Sequence, residues 1–178
     1  MINITDDEFT EIYNKYYKRV YNFCYYRCVN HHDSEDLTAV IFEHIIAKYH
    51  TYESAKSPFE VWMFAIARNI VTDHFRKIKR IPENIPIEHI ADFKDPNNAE
   101  ADTIIIERET NNIIIQTVNE LPEKEKNIIS LKFAACLSSA EIASALGMTE
   151  INVRVKLSRT LKKLNKILSK KGVSLNEK

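Results

Sequence analysis

The groups in this chain that could do chemistry are cations and aromatic rings at helical spacing, and they concentrate in two stretches. In the first, Phe59, Trp62, Met63, Ile66, Ile70 and Phe75 recur at helical intervals, while Arg68, Asn69, Asp73, Arg76, Lys77, Lys79 and Arg80 supply polar and basic groups. Tyr49, Tyr52, Phe59 and Trp62 lie near its start. Rings interleaved with cations suit single-stranded nucleic acid, because bases stack on the rings while phosphates pair with the charges. A bundle with a core tryptophan would show the same pattern.

The second stretch runs from Ser138 to Arg159. Ser138 followed three residues later by Glu141 reads as a capping box that starts a short helix. Ile142, Ala143 and Leu146 supply its buried face, and Gly147 stands where a chain leaving a helix often needs positive φ. Thr149 can cap a second helix. On it Val153, Leu157, Leu161, Leu164 and Leu168 form one apolar stripe, and the other face carries Glu150, Asn152, Arg154, Lys156, Arg159, Lys162, Lys163 and Lys166. This predicts a helix-turn-helix whose second helix enters the major groove while cations on the frame hold phosphates. An amphipathic hairpin with a solvated charged face is the plainer alternative.

Charge partition favours the nucleic-acid reading. The chain is formally neutral, with 25 bases and 25 acids. Residues 1–80 are balanced, residues 81–109 carry eight acids against two bases, and residues 110–178 carry twelve bases against six acids. A local basic surface is what phosphate binding needs, whatever the total. The acidic middle could repel or imitate nucleic acid, or pair with the basic end to hold the free protein closed.

Other classes find little support. Two glycines in 178 residues point to helices and leave no Gly-rich phosphate cradle. No apolar run is long enough to span a bilayer, and Asp6, Asp7 and Glu8 stand where a signal peptide would be basic, so a cytoplasmic protein is expected. Cys24, Cys28 and Cys136 are odd in number and suggest no disulfide framework. Cys24 and Cys28, one turn apart with His31 and His32 beyond, could contribute to a metal site, but buried thiols in a helical core are the commoner case. Glu35 with Asp36, and Asp6 to Glu8, read as solvated helix starts and not as acid/base pairs. With no nucleophile, base and oxyanion set to assemble, the expectation is no enzyme, no metal, no cofactor and no small-molecule substrate.

The elements that must position these stretches can be read in order. Phe9, Ile12, Tyr13, Tyr16, Val20, Phe23 and Cys24 predict a long amphipathic helix over Phe9 to Val29. Asn30 to Ser34 is turn-like, and Asp33 or Ser34 can cap a second helix reaching about Tyr49. Its apolar positions Leu37, Ile41, Ile45 and Tyr49 are widened by Val40, Phe42 and Ile46 into a band suggesting contact on two sides. After the break at His50 to Pro58, Pro58 suits the first turn of a third helix over Phe59 to Ile78. The fold class is therefore all-α: two small helical bundles joined by a linker, the second a helix-turn-helix (winged-helix-like DNA-binding) domain. The expected boundaries are 1–80, 81–109 and 110–178.

Several of these strings together resemble a family. Glu35-Asp36-Leu37, Phe42, the run from Phe59 to Asn69, Asp73-His74-Phe75-Arg76, and Leu121-Pro122 with the hairpin downstream are similar to bacterial RNA polymerase sigma factors of the extracytoplasmic-function class. The resemblance covers nearly the whole chain. It implies a transcription initiation factor that binds core RNA polymerase through the β′ and β subunits and reads the minus-10 and minus-35 elements of promoter DNA. An anti-sigma factor is a further partner it allows. Asp36, Leu37, Val40, Ile41, Phe42, Ile45 and Tyr49 would belong to the helix gripping the β′ coiled coil. Tyr52, Ser57, Trp62, Arg68, Asn69, Asp73, Arg76 and Lys77 would open and read the minus-10 element, with Asn69 near a base turned out of the stack. Ser139, Thr149, Glu150, Asn152, Val153, Arg154, Lys156 and Arg159 would serve the minus-35 duplex. Residues 81–109 would thread toward the RNA exit path.

The chain departs from the family pattern in two places. Ala39 and Val40 replace a usual Gln-Glu pair, and Ile151-Asn152-Val153-Arg154-Val155-Lys156 replaces the usual Gly-Thr-Val-Lys-Ser-Arg. Exchanging Lys and Arg keeps charge but moves the planar guanidinium fork, so an unusual promoter preference is expected. The alternatives are a stand-alone helix-turn-helix regulator, binding duplex without polymerase, and an adaptor that binds a protein partner only.

Overall fold

The computed structural model describes residues 4–78 and 101–173, with side chains left undescribed over 101–109. Among the described residues every regular element is helical. Helix α1 spans Asp6–Cys28, three residues longer at its start than the apolar spacing predicts. The reason is a capping box one step upstream: Glu8 N–H donates to Thr5 Oγ1 at 3.3 Å while Thr5 N–H donates to Glu8 Oε2 at 2.9 Å. Val29 ends the helix in a left-handed conformation.

Helix α2 spans His31–Lys48, and its cap is Asn30, not Asp33 or Ser34. Asn30 Oδ1 accepts from Asp33 N–H at 3.1 Å, and Ser34 and Thr38 point their hydroxyls back at carbonyls four residues earlier. A 3₁₀ turn over Tyr49–Thr51 leads to helix α3, Phe59–Ile78. Pro58 lies just before it and accepts from the amides of Val61 and Trp62, so the proline starts the helix where expected.

Helix α4 covers Ala101–Asn119, so its backbone begins inside the stretch read as linker. Helix α5 is Glu123–Ile129 and runs into a π turn, Ser130–Ala134. Helix α6 is Ser139–Leu146 and α7 is Glu150–Lys170. The Ser138 capping box, the left-handed Gly147 at φ 63° and the Thr149 cap all occur as read from the sequence. On α7, Val153, Leu164 and Leu168 are buried, with Leu157 and Leu161 partly so.

One core joins the two bundles. Phe23, Ile41, Ile45, Met63 and Phe64 of the first, all fully enclosed, are continuous with Ile128, Leu131, Leu137, Ile142 and Val153 of the second. Polar ties follow the same seam. Arg19, steadied by Glu60 of its own bundle, donates to the Ala135 carbonyl, Arg68 donates to the Ala145 carbonyl at 2.8 Å, and Asn119 donates to the Tyr26 carbonyl at 3.0 Å. These contacts hold the halves together. Pairing of the basic end with the acidic middle falls outside the described residues.

The capping box of α6 should make stability depend on pH. Hydrogen bonds from the Ser138 backbone and side chain hold the Glu141 carboxyl below its ordinary 4.5. A lowered carboxylate pKa contributes stability in full above the ordinary value and loses it as pH falls through the lowered one. Because Glu141 is partly exposed, Glu141→Gln should cost about 0.5 kcal/mol at pH 7 and nothing once the pH lies below the lowered value. Urea unfolding on either side of that value checks this.

Candidate nucleic-acid interface

Helix α3 is a strip with rings at one end and cations at the other. At its start Tyr52 lies 5.4 Å from Trp62 and 5.3 Å from Phe59, centroid to centroid, and Phe59 lies 5.5 Å from Trp62. Tyr49 closes the group at 6.3 Å from Phe59, and Tyr52 Oη donates to the Ser57 carbonyl at 3.3 Å. Tyr52, Ser57 and Trp62 are all half-buried, so part of each remains open to solvent. About 22 Å further along the axis stands Lys77, at 1.5 Å per residue. Asn69, Asp73, Arg76 and Lys77 are exposed between these ends. Arg76 pairs with Asp73 at 2.9 Å.

Arg68 is placed differently from the other candidates of α3. Its Nη1 donates to the Ala145 carbonyl at the end of α6, and its Nε and Nη2 donate to Asn69 Oδ1 at 3.2 and 2.7 Å. The guanidinium therefore sits in the seam, where it fills one of the carbonyls that a helix C-terminus leaves open. It also holds the oxygen of the exposed Asn69 amide.

The second surface is α7, which carries seven Lys and Arg against the single acid Glu150. Thr149 caps it, Asn152 N–H donating to Thr149 Oγ1 at 3.3 Å. Asn152, Arg154, Lys156 and Arg159 are exposed, Ser139 and Glu150 are half-buried, and Val153 is fully enclosed, so Val153 orients the helix and cannot touch a base. Arg154 pairs with Glu150 one turn back and stands on the rim of a groove of about 690 Å³ between α4, α5 and α7. Lys163 pairs with Glu125 of α5 at 3.1 Å.

Helix α2 shows which side of its broad apolar band is free. Leu37, Ile41, Phe42 and Ile45 are buried in the bundle, Tyr49 is half-buried, and Asp36 and Val40 face outward. Ile46, 42% exposed, joins Phe9, Tyr13 and Tyr17 of α1 around a groove of about 280 Å³. Sequence reading placed Ile46 in the band but not among the contact residues, because periodicity does not say which edge of a wide band stays uncovered. The rings of α1 are a second feature it passed over. Tyr17, Tyr21 and Tyr25 stack one turn apart and Tyr13 tilts against Tyr17, a row that their four-residue spacing would have signalled.

Burial pushes the Cys24 and Cys28 thiols up to about 12, and Cys24 lies in the core. Among the described residues no three His, Cys, Asp or Glu side chains stand close enough to hold a metal ion, and no helix is long and apolar enough to cross a membrane.

Comparison with known proteins shows the family of both halves. The Sigma-70 region 2 family profile matches residues 12–81, and the Sigma-70, region 4 profile matches residues 111–164. The ECF RNA polymerase sigma factor SigF of Caulobacter vibrioides is 30% identical over 132 residues, covering 74% of this chain and 69% of that one. The ECF RNA polymerase sigma factor BldN of Streptomyces coelicolor is 28% identical over 162 residues, 91% of this chain but only 61% of BldN. Among solved structures, the sigma factor RpoE from Bartonella quintana, in complex with the anti-sigma factor NepR, superposes with a TM-score of 0.69 at 20% identity. That match covers 92% of this chain and 98% of the other, and it shares the all-helical fold.

Proposed function

The chain belongs to the extracytoplasmic-function class of RNA polymerase sigma factors, promoter-directing initiation factors of transcription, and from that premise we propose how its surfaces divide the work. The exposed edge of α2, with Asp36, Val40 and Ile46, grips core RNA polymerase, while Leu37, Ile41, Phe42 and Ile45 hold that edge rigid from beneath. The aromatic start of α3 receives the opened minus-10 strand. Tyr52 and Trp62 stack bases, Asn69 bonds a base edge, and Arg76 and Lys77 pair with phosphates. Helix α7 enters the major groove of the minus-35 duplex. The work is done in the cytoplasm, and the chemistry of RNA synthesis belongs to the polymerase.

The observation that carries this reading is the pairing, in one chain, of a ring-and-cation helix with a capped, basic helix-turn-helix. A stand-alone regulator would need the second and has no use for the first. In the closed arrangement Arg68 is bound to α6, so promoter binding requires the seam to open before Arg68 meets DNA. A protein partner that favours the closed form, as an anti-sigma factor would, is therefore a further proposed partner.

The test is gel filtration of the purified chain with core bacterial RNA polymerase, followed by selection from a library of promoter duplexes. Co-migration with sequence-selective strand opening supports the reading. Specific duplex binding by the chain alone, without co-migration, overturns it.

Two cations of α7 should behave differently in that assay. Arg154→Ala should cost about 1–3 kcal/mol at one minus-35 position and relax its specificity. Lys162→Ala should weaken all duplexes alike and lower the salt slope by about 0.9. Equal losses on every sequence for both variants would defeat the assignment of Arg154.

A further inference from the structure

The middle of the outward face of α7 is apolar. Val153 is fully enclosed, and at 3.6 residues per turn Ile151 and Val155 each stand about 160° round the helix from it, on either side. They are accordingly 74% and 41% exposed, and Ile151 is the most exposed large apolar side chain among the described residues. The two are one turn apart in the first turns after the Thr149 cap. The polar candidates lie to the sides. Arg154 and Glu150 pair on one flank, with Asn152, Lys156 and Arg159 on the other.

Water is a poor environment for such a pair, and nothing in the described structure covers it. The occupant must present small apolar groups inside a strongly anionic frame, since cations flank the pair and continue down the helix at Lys162, Lys163 and Lys166. Duplex DNA meets both conditions in the major groove, where the only apolar group on a base edge is the thymine 5-methyl. A helix entering that groove on its outward face brings Ile151 and Val155 deepest.

We propose that Ile151 and Val155 are specificity-determining residues that recognise thymine 5-methyl groups in the minus-35 element. The proposal rests on the sigma reading of α7. Each side chain covers one methyl, on adjacent or next-adjacent base pairs, and the flanking Arg154, Asn152 and Lys156 supply hydrogen bonds and phosphate contacts around them. Apolar contact of this kind favours thymine over cytosine, which offers an amino donor and no methyl at that place.

The experiment uses polymerase holoenzyme formed with the full chain and the minus-35 duplex it selects. Each thymine in turn is replaced by deoxyuridine, which removes the methyl and leaves every hydrogen-bonding group unchanged. The expected result is a loss of about fourfold at one or two positions, the worth of burying one methyl group. Ile151→Ala should abolish the effect at one of them and Val155→Ala at the other, with melting temperatures unchanged because both side chains are exposed. Wild-type holoenzyme indifferent to every replacement overturns the proposal, as do variants that keep the full methyl dependence. Failure of the chain to co-migrate with polymerase defeats the sigma reading and the proposal together. Co-migration and promoter selection without methyl dependence defeat the proposal alone.

Discussion

Replacing Glu123 by alanine should destabilise the protein by about 3–5 kcal/mol, while replacing its partner Arg27 by methionine should cost only about 1–2 kcal/mol. Arg27 lies in α1 and is 2% exposed; its Nη1 donates to Asn127 Oδ1 at 2.6 Å and its Nη2 to Glu123 of α5. The guanidinium carbon also stands 5.6 Å over the Phe75 ring. The pair is unequal, because the Glu123 side chain keeps 40% of its exposure and the Arg27 side chain keeps 1%. Alanine at 123 strands a full positive charge in the core with one neutral amide oxygen for company. Methionine at 27 removes that charge, fills most of its volume, and lets Glu123 return to water. The Nε of Arg27 has no hydrogen-bond partner, so part of its desolvation cost is already uncompensated and disappears with the replacement. Thermal and urea unfolding of the two variants, with the double variant to close the cycle, measures the difference. Equal costs would mean that burial of the guanidinium contributes nothing to the asymmetry. Because the pair crosses the seam, Glu123→Ala should also make the two halves more accessible to protease near α5.

The double variant Val40→Asp with Ile46→Asp should lose several hundredfold in affinity for core polymerase, about 3–4 kcal/mol, with little change in folding stability. Val40 and Ile46 are 37% and 42% exposed, so neither is part of the core that holds α2. Ile46 borders the shallow groove with Phe9, Tyr13 and Tyr17, and Glu35 and Glu43 already line it. A partner helix laid along the outer face of α2 would bury Ile46 at that groove and Val40 at the other edge of the face, and two carboxylates in their place would be desolvated beside existing acids. Competition binding with wild-type chain reads the loss directly. Unchanged affinity would mean that another face of the bundle carries the polymerase. The contrast with Ile41 is part of the prediction: Ile41→Asp should unfold the first bundle, since Ile41 is fully enclosed, whereas the surface pair should not.

Local signals set much of this protein directly. Ser138 with Glu141, Gly147 and Thr149 delimit the hairpin because caps and left-handed exits depend on a few residues close in sequence. Pro58 starts α3 for the same reason. Where several capping residues stand close together, sequence does not choose between them: Asn30 lies ahead of Asp33 and Ser34, and the side chain that first meets the free amides is the cap. At α1 the polar Thr5 and Glu8 extend the helix past its last apolar contact, which a hydrophobic period cannot register.

The function class was equally legible, because charge and aromatic spacing along a helix are properties of the chain itself. Sequence alone therefore determined the all-helical class, the first three helices, the helix-turn-helix and the family, but not α4 or α5, whose starts carry no such local signal. Which residues of each surface are free was decided only by packing. Leu37, Ile41, Phe42, Ile45 and Val153 turn inward, Ile46, Ile151 and Val155 are left outside, and Arg68 is drawn into a seam by a carbonyl 77 residues away. Burial depends on partners distant in sequence, and a period of three or four gives the same stripe whether its edge meets a second helix or water.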